Sequence, residues 1–323
     1  MALTTWGSSV ASTGALKNST VAKQLYHAAI SECVFVDHTS PQSGYGAHKG
    51  QSVTVGRRSY FTQVTDASLV ENERIPERSQ SIAGKQVTMS EFGEAIVSTN
   101  LLKKLSVFDL NESIQMELKE RMKLALDTRA CRAFKQTQLC YVPTGATAAT
   151  LYTNATPATA ALVNMNVYHC EEIRDTMYDT YKVPMIGDSY VGIFRTLGLR
   201  GIKRDPSWEQ WQVYTNPQAK YNSEVGRLEE IRFIETNHGD TTVGVSAMGL
   251  SKVGTGDVLG EGVVFGQDAV RFFEVQAPEL IIGKEEDFGR QQSVAWYGIY
   301  EFSAPVDTAN PGEVRTIWVT SQS

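Results

Sequence analysis

Long apolar runs are missing from this chain of 323 residues. No stretch of about 18 consecutive apolar residues occurs, so no transmembrane helix and no membrane partner are expected. The opening MALTTWGSSVASTG has neither the basic start nor the apolar core of a secretory signal. Cysteine is sparse: the four (Cys33, Cys131, Cys140, Cys170) form no CxxC pair, which argues for reduced, buried thiols and against a disulfide framework. Positive charge is in deficit, with 30 Lys+Arg against 36 Asp+Glu and a net charge of −6. A protein that grips duplex DNA by neutralising phosphates carries the opposite balance, although local basic patches stay open. Apolar residues are not lacking. At 41% hydrophobic and 20% charged, the chain has the composition of a folded protein, long enough for two domains or for one with large excursions.

The patterns that carry chemistry are also absent. The five histidines (His27, His38, His48, His169, His238) form no HxxxH, and the contiguous His169-Cys170 would diverge by about 100° on a helix, a poor geometry for sharing a metal. There is no GxSxG elbow and no papain-like cysteine context. The glycine cluster Gly254, Gly256, Gly260, Gly262 and Gly266 matches neither GxGxxG nor GxxxxGK[ST], and reads as a loop. Glu229-Glu230 and Glu285-Glu286-Asp287 are contiguous carboxylates whose side chains diverge, so shared acid–base work is not implied. No catalytic, cofactor-binding or metal-ligating residue is expected, and no cofactor.

Periodicity gives the architecture of an α+β protein. Residues 1–50 show no sustained period and read as an extended arm, with a short helix over Val21–Glu32. Residues 51–62 and 86–99 carry strand patterns, joined by the polar VTDASLVENERIPERSQSIAGK. Two strands with a long charged connection predict a hairpin reaching away from the body. Such a hairpin is marginal alone in water and needs a surface to lie on. Its Glu71, Glu73, Arg74, Glu77 and Arg78 mix both signs, which suits either a solvated tip or salt bridges between identical copies, since each copy offers both partners. The clearest helix is 109–138: Asp109 as cap with Glu112 three residues on, then Leu110, Ile114, Leu118, Met122, Ala125, Leu126, Ala130 and Phe134 at steps of three and four. The Thr-rich PTGATAATLYTNATP (143–157) reads as a linker at a domain boundary. A second helix is expected over 158–181, a strand over 189–196, a helix over 205–214 and a strand within 226–237, followed by a glycine-rich loop over 238–262 and a β-rich C-terminal third.

The run EVGRLEEIRFIETN (224–237) resembles the signature strand of tailed-bacteriophage major capsid proteins with the HK97-like fold. The matching residues are Gly226, Arg227, Leu228 and Glu229, then Arg232, Phe233, Glu235, Thr236 and Asn237. Upstream, SYVGIFRTLGLRGIKRDPSWEQW is similar to the family's strand, short helix and aromatic-containing helix, with Arg195-Thr196 where the family has His-Pro. Downstream, VVFGQDAVRFF resembles its turn, at Gly266, Asp268 and Ala269.

The resemblance implies an HK97-like α+β fold with an N-terminal arm (1–50), an extended hairpin loop (51–90), a peripheral domain with a spine helix and sheet (91–144 and 285–323) and an axial domain (145–284). It implies a structural shell protein, not an enzyme, that forms hexamers and pentamers with itself and encloses double-stranded DNA in an icosahedral head. Portal and scaffolding proteins, possible decoration or cement proteins and weak non-specific proximity to packaged DNA are the implied partners. Assembly would take place in the host bacterial cytoplasm, with the virion capsid as destination. The chain shows no leading coiled segment, which points to a separate scaffolding protein or a cleaved precursor. A soluble α+β enzyme with an unrecognised site and an encapsulin-like nanocompartment shell are the alternatives.

Overall fold

The computed structural model describes residues 33–42, 51–58, 68–69, 71–72, 74–75, 77, 79–80, 82–105, 110–154, 163–206, 224–237, 260–305 and 310–321. Along the chain run β1 (Ser40–Gln42), β2 (Ser52–Arg58), β3 (Ile82–Thr88), β4 (Ser90–Thr99), α1 (Asn100–Leu105), α2 (Leu110–Lys135), β5 (Cys140–Gly145) and β6 (Ala148–Tyr152). They are followed by α3 (Val167–Asp175), β7 (Tyr190–Arg195), α4 (Thr196–Lys203), β8 (Glu224–Leu228), β9 (Ile231–Thr236), β10 (Gly260–Phe265), β11 (Arg271–Glu286), β12 (Gln291–Ser303) and β13 (Thr316–Ser321). Among the described residues the strands form a seven-stranded sheet in the order β6-β5-β13-β10-β7-β9-β8, a four-stranded sheet in the order β1-β11-β12-β4, and the β2–β3 hairpin. We call the first two the large sheet and the elongated sheet.

The 26 residues of α2 make a rod of roughly 39 Å, set against both sheets. Its first turns are partly exposed, with Ile114 and Leu118 buried, whereas Ala130, Cys131, Ala133 and Phe134 near its end are buried almost completely. Phe134 packs against Phe265 of β10 with ring centres 4.6 Å apart and planes tilted by 42°, and the core it joins includes Val191 and Ile193 of β7 and Val294, Trp296 and Tyr300 of β12. The opposite face of the large sheet forms a second core of Tyr190, Phe194, Phe233, Val264, Ile317 and Val319 with Ile173 and Met177. The central strands β7, β10 and β13 are thus covered on both faces and buried along nearly their whole length, Thr316 and Thr320 included.

Several expectations change. Residues 143–157 are not simply a linker: β5 and β6 form a hairpin through residue 152, with a bulge between Pro143 and Gly145. The second helix does not begin at 158. It begins at Val167, where the Asn166 side chain accepts from the His169 N–H, and after Asp175 it continues as one wide π-helical turn, Thr176–Thr180. The 86–99 strand is two strands that meet at Met89, and the 226–237 strand is the β8–β9 hairpin. Sheet membership does not follow a boundary at 284/285: β11 and β12 are partners in one antiparallel hairpin, and β13 lies inside the large sheet between β5 and β10. Strand pairing, unlike helix periodicity, is a long-range property that local composition does not encode. The Val21–Glu32 helix, the Asp109 cap, most of the 205–214 helix and residues 238–259 lie outside the described residues.

Candidate functional surfaces

Most residues of the capsid-like motif have a local task. The β8–β9 hairpin turns on Glu229 and Glu230, both left-handed (φ 47° and 61°), the two-residue geometry that asparagine and glycine usually fill. Glu230 is held by Arg174, whose Nε and Nη2 donate at 3.1 and 3.0 Å. Gly226 has φ 155° where the ladder slips between Glu224 and Gly226, a bulge that favours glycine. Arg227 donates to the Asp188 carboxylate and carbonyl, both at 2.7 Å, and holds the Asp188 carboxyl below the usual range. Leu228, Ile231 and Phe233 are fully buried and Thr236 nearly so, while Arg232 and Asn237 are exposed. Glu235 is half-buried; burial pushes its carboxyl up, but donors from Lys203 (2.5 Å) and Thr196 prevail and hold it below the ordinary range. The motif specifies a hairpin and its anchors. At the second motif, a Cβ on Gly266 would stand 2.3 Å from the Pro184 carbonyl oxygen, Asp268 is left-handed (φ 57°) and bound by Arg271, and Ala269 is buried.

The described β2–β3 ribbon lies against the body along its length. Val53, Val55, Val87 and Met89 pack with Phe273 and Ile299 against the elongated sheet, and Arg57 donates to Glu313 at 3.0 Å. Farther out Leu69 and Ile75 are exposed. Of the five charged tip residues, Arg74 and Glu77 pair with each other within one copy, Glu71 is exposed, and Glu73 and Arg78 lie outside the described residues.

The segment leading in from the N-terminal side is fastened by Asp127, a fully buried carboxylate of α2. Its Oδ1 accepts from the N–H groups of Phe35 (2.8 Å) and Val36 (3.2 Å), capping the short helical turn Val36–His38 from a distant element. Burial pushes Asp127 up to about 6 despite these donors. At the other end of α2, the buried Lys135 pairs with Glu261, which also accepts from Trp318 Nε1 at 3.3 Å, joining the helix to β10 and β13.

A polar cluster that periodicity does not reveal is Tyr141, His169 and Glu172. The Tyr141 hydroxyl donates to Glu172 at 2.6 Å and lies 3.0 Å from His169 Nδ1. His169 is completely buried, and burial lowers its tendency to protonate, so the cluster ties α3 to β5 from inside. Cys131, Cys140 and Cys170 are buried and Cys33 partly so, all as free thiols. Among the described residues no group of three or more His, Cys, Asp or Glu side chains is placed to hold a metal, and no helix is long and apolar enough to cross a membrane.

No protein-family model and no curated protein sequence matches the chain. Solved structures do. The capsid of cyanophage Pam1 aligns over 97% of this chain and 98% of its own, with a TM-score of 0.69 at 12% identity. The acid-stable capsid of Helicobacter pylori bacteriophage KHP30 aligns over 96% and 97%, with a TM-score of 0.68 at 13% identity. The capsid of Ralstonia phage GP4 aligns over 97% of both chains, with a TM-score of 0.65 at 14% identity. The fold of this chain is that of phage capsid proteins, the HK97-like α+β fold.

Proposed function

We propose that this chain is the major capsid protein of a tailed bacteriophage, a structural subunit that assembles with copies of itself into an icosahedral head around double-stranded DNA. The observation that carries this reading is the near-complete alignment with capsid subunits, end to end on both chains. The hairpin is in keeping with it, because a two-stranded ribbon is marginal alone and needs a surface to lie on.

In this reading the large sheet, with α3 and α4, forms the axial part that converges on the local symmetry axis of hexamers and pentamers. The peripheral part is α2 with the elongated sheet. This refines the expected division, since β13 joins the axial part and β11 the peripheral one. The hairpin of one copy lies over the spine of the next, where Glu71, Glu73, Arg74, Glu77 and Arg78 meet the neighbour's charges. The 1–50 arm crosses onto another copy. A head-to-tail contact of this kind closes a ring when its rotation closes. Portal and scaffolding proteins, a decoration or cement protein, and DNA held by proximity alone are the proposed partners. The net charge of −6 limits adhesion to DNA. Assembly is proposed to take place in the host bacterial cytoplasm.

Electron microscopy of the protein expressed alone and with its neighbouring genes tests the reading. Closed shells, or rings of five and six, are expected; a small monodisperse species under all conditions refutes it. Shell diameter and a neighbouring portal gene separate a phage head from a nanocompartment. Deletion of Ser68–Ala83 tests the hairpin: closed shells at normal yield and heat resistance would remove its clamping role.

A further inference from the structure

The far end of the elongated sheet is a corner where β4 leads into α1 and β11 turns back into β12. Thr99 is opposite Gln291 in the ladder, the Asn100 N–H donates to the Arg290 carbonyl at 2.8 Å, and the Asn100 side chain donates to Gly289 O. The corner is therefore firmly built, yet its surface is apolar. Leu101 is 70% exposed, Leu102 53%, Leu105 75%, and Phe288 is completely exposed. Scattered apolar residues on a surface need no explanation, but four large ones on one corner do.

The backbone adds a second observation. Asp287, Phe288 and Gly289 are successively left-handed, with φ of 48°, 55° and 81°. A bulky aromatic residue rarely adopts that conformation, and such strain persists where the projecting side chain has a use. Beside Phe288 lies a cleft of about 350 Å³ lined by Thr99, Asn100, Leu101, Lys104, Arg290 and Gln291. Knob and cleft adjoin, bridged by the Arg290–Asp287 pair and by the Asn100 side chain on Gly289.

Charge identifies the occupant. The turn side carries Lys284, Glu285, Glu286 and Asp287, the last paired with Arg290 of the cleft at 3.3 Å within one copy, so that Glu285 and Glu286 stand opposite the Lys103 and Lys104 side of α1. A surface that pairs an acidic knob with a basic cleft complements another copy of itself, turned so that knob faces cleft. A membrane of anionic lipid offers no partner for Glu285 and Glu286 beside Phe288.

We propose that this corner joins copies of the chain, with Phe288 of one copy seated in the Leu101–Lys104 cleft of the next and Glu286 facing Lys104. The proposal rests on the shell reading and names one of its contacts.

The test uses the full chain under the conditions in which the unaltered protein assembles. Phe288→Asp leaves a folded subunit with an unchanged thermal melt and lowers closed-shell yield about tenfold or more, equivalent to about 1.4 kcal/mol at the contact. Lys104→Glu lowers yield similarly, and adding Glu286→Lys restores it. Leu101→Cys and Phe288→Cys copies, mixed and mildly oxidised, form a dimer band on denaturing gels that neither gives alone. Normal shells from Phe288→Asp, or no mixed dimer in assembled shells, overturn the contact and leave the shell reading standing. Flotation of the unaltered chain with anionic vesicles, lost in Phe288→Asp, makes lipid the occupant and also overturns it. If the unaltered chain never assembles, the shell reading fails first, and the contact with it.

Discussion

The large sheet and the outer end of the elongated sheet follow opposite rules of burial. In the large sheet, every residue of β10 and β13 is buried, and β7 is buried through Phe194. In β4 exposure alternates for nearly the whole strand, and beyond Ala277 β11 is mostly open on both sides. Both are built of hydrogen-bonded ladders, regular between β12 and β4 and shifted at three places between β11 and β12, so the difference in burial lies in what covers them. One region is complete as a monomer. The other leaves much of its surface open.

The comparison can be broken from its buried side first. Phe233→Ala empties a fully buried position and should cost about 3–5 kcal/mol in denaturant unfolding of the isolated subunit. Val97→Ala, at a position 61% exposed on β4, should cost under about 0.5 kcal/mol in the same assay. Equal losses at the two sites would dissolve the distinction.

Lys135→Met comes next. It leaves Glu261 buried without its cation and should cost about 3 kcal/mol, whereas Lys135→Met with Glu261→Leu should recover most of that loss. A double-mutant cycle of unfolding free energies reads the recovery. No recovery would mean that the pair holds shape beyond its charge.

Asp127 sharpens the comparison through pH. Its folded-state value of about 6 lies above its ordinary 3.8, so the neutral form is the one folding favours. The associated stability is complete below about pH 4 and is lost as pH rises through 6, by roughly 3 kcal/mol at most. Asp127→Asn keeps an acceptor for Phe35 and Val36 but cannot ionise. Relative to the unaltered chain it should gain stability between pH 4 and 7.5, measured by unfolding at several pH values; a constant difference would place the ionisation elsewhere. A small gain is expected at the β8–β9 turn, where Glu229→Asn suits the left-handed backbone and should raise stability by about 0.5 kcal/mol, seen as a small rise in melting temperature.

Legibility in the sequence followed the range of the interactions. α2 was expected at 109–138 and is found at Leu110–Lys135, because a helix announces itself through neighbours three and four residues apart. The hairpin from 51 onward was legible for the same reason, as were the late strands. The β5–β6 hairpin was not: its threonines, alanines and Pro143 look like a linker, and only the partner strand β13 makes them a sheet. The β8–β9 turn lacks the asparagine or glycine that would have marked it, so the one available sign was the broken alternation around Glu229. The motif residues were found by resemblance, but their tasks as turn, bulge and anchors required the fold. The exposed corner at Phe288 was read only as a run of carboxylates, since exposure is a property of the folded surface.

The place of β13 has a consequence in time. This strand, the last to be synthesised among the described elements, is inserted between β5, about 180 residues earlier by the Cys140–Thr320 contact, and β10. A growing chain therefore carries the large sheet with a gap at its middle until Ser321 has left the ribosome. Helical and hairpin segments can form during synthesis, but long-range pairing of this kind is slow and comes late. A half-made chain has no completed large sheet, so the topology itself delays closure of that sheet until translation has passed the strand.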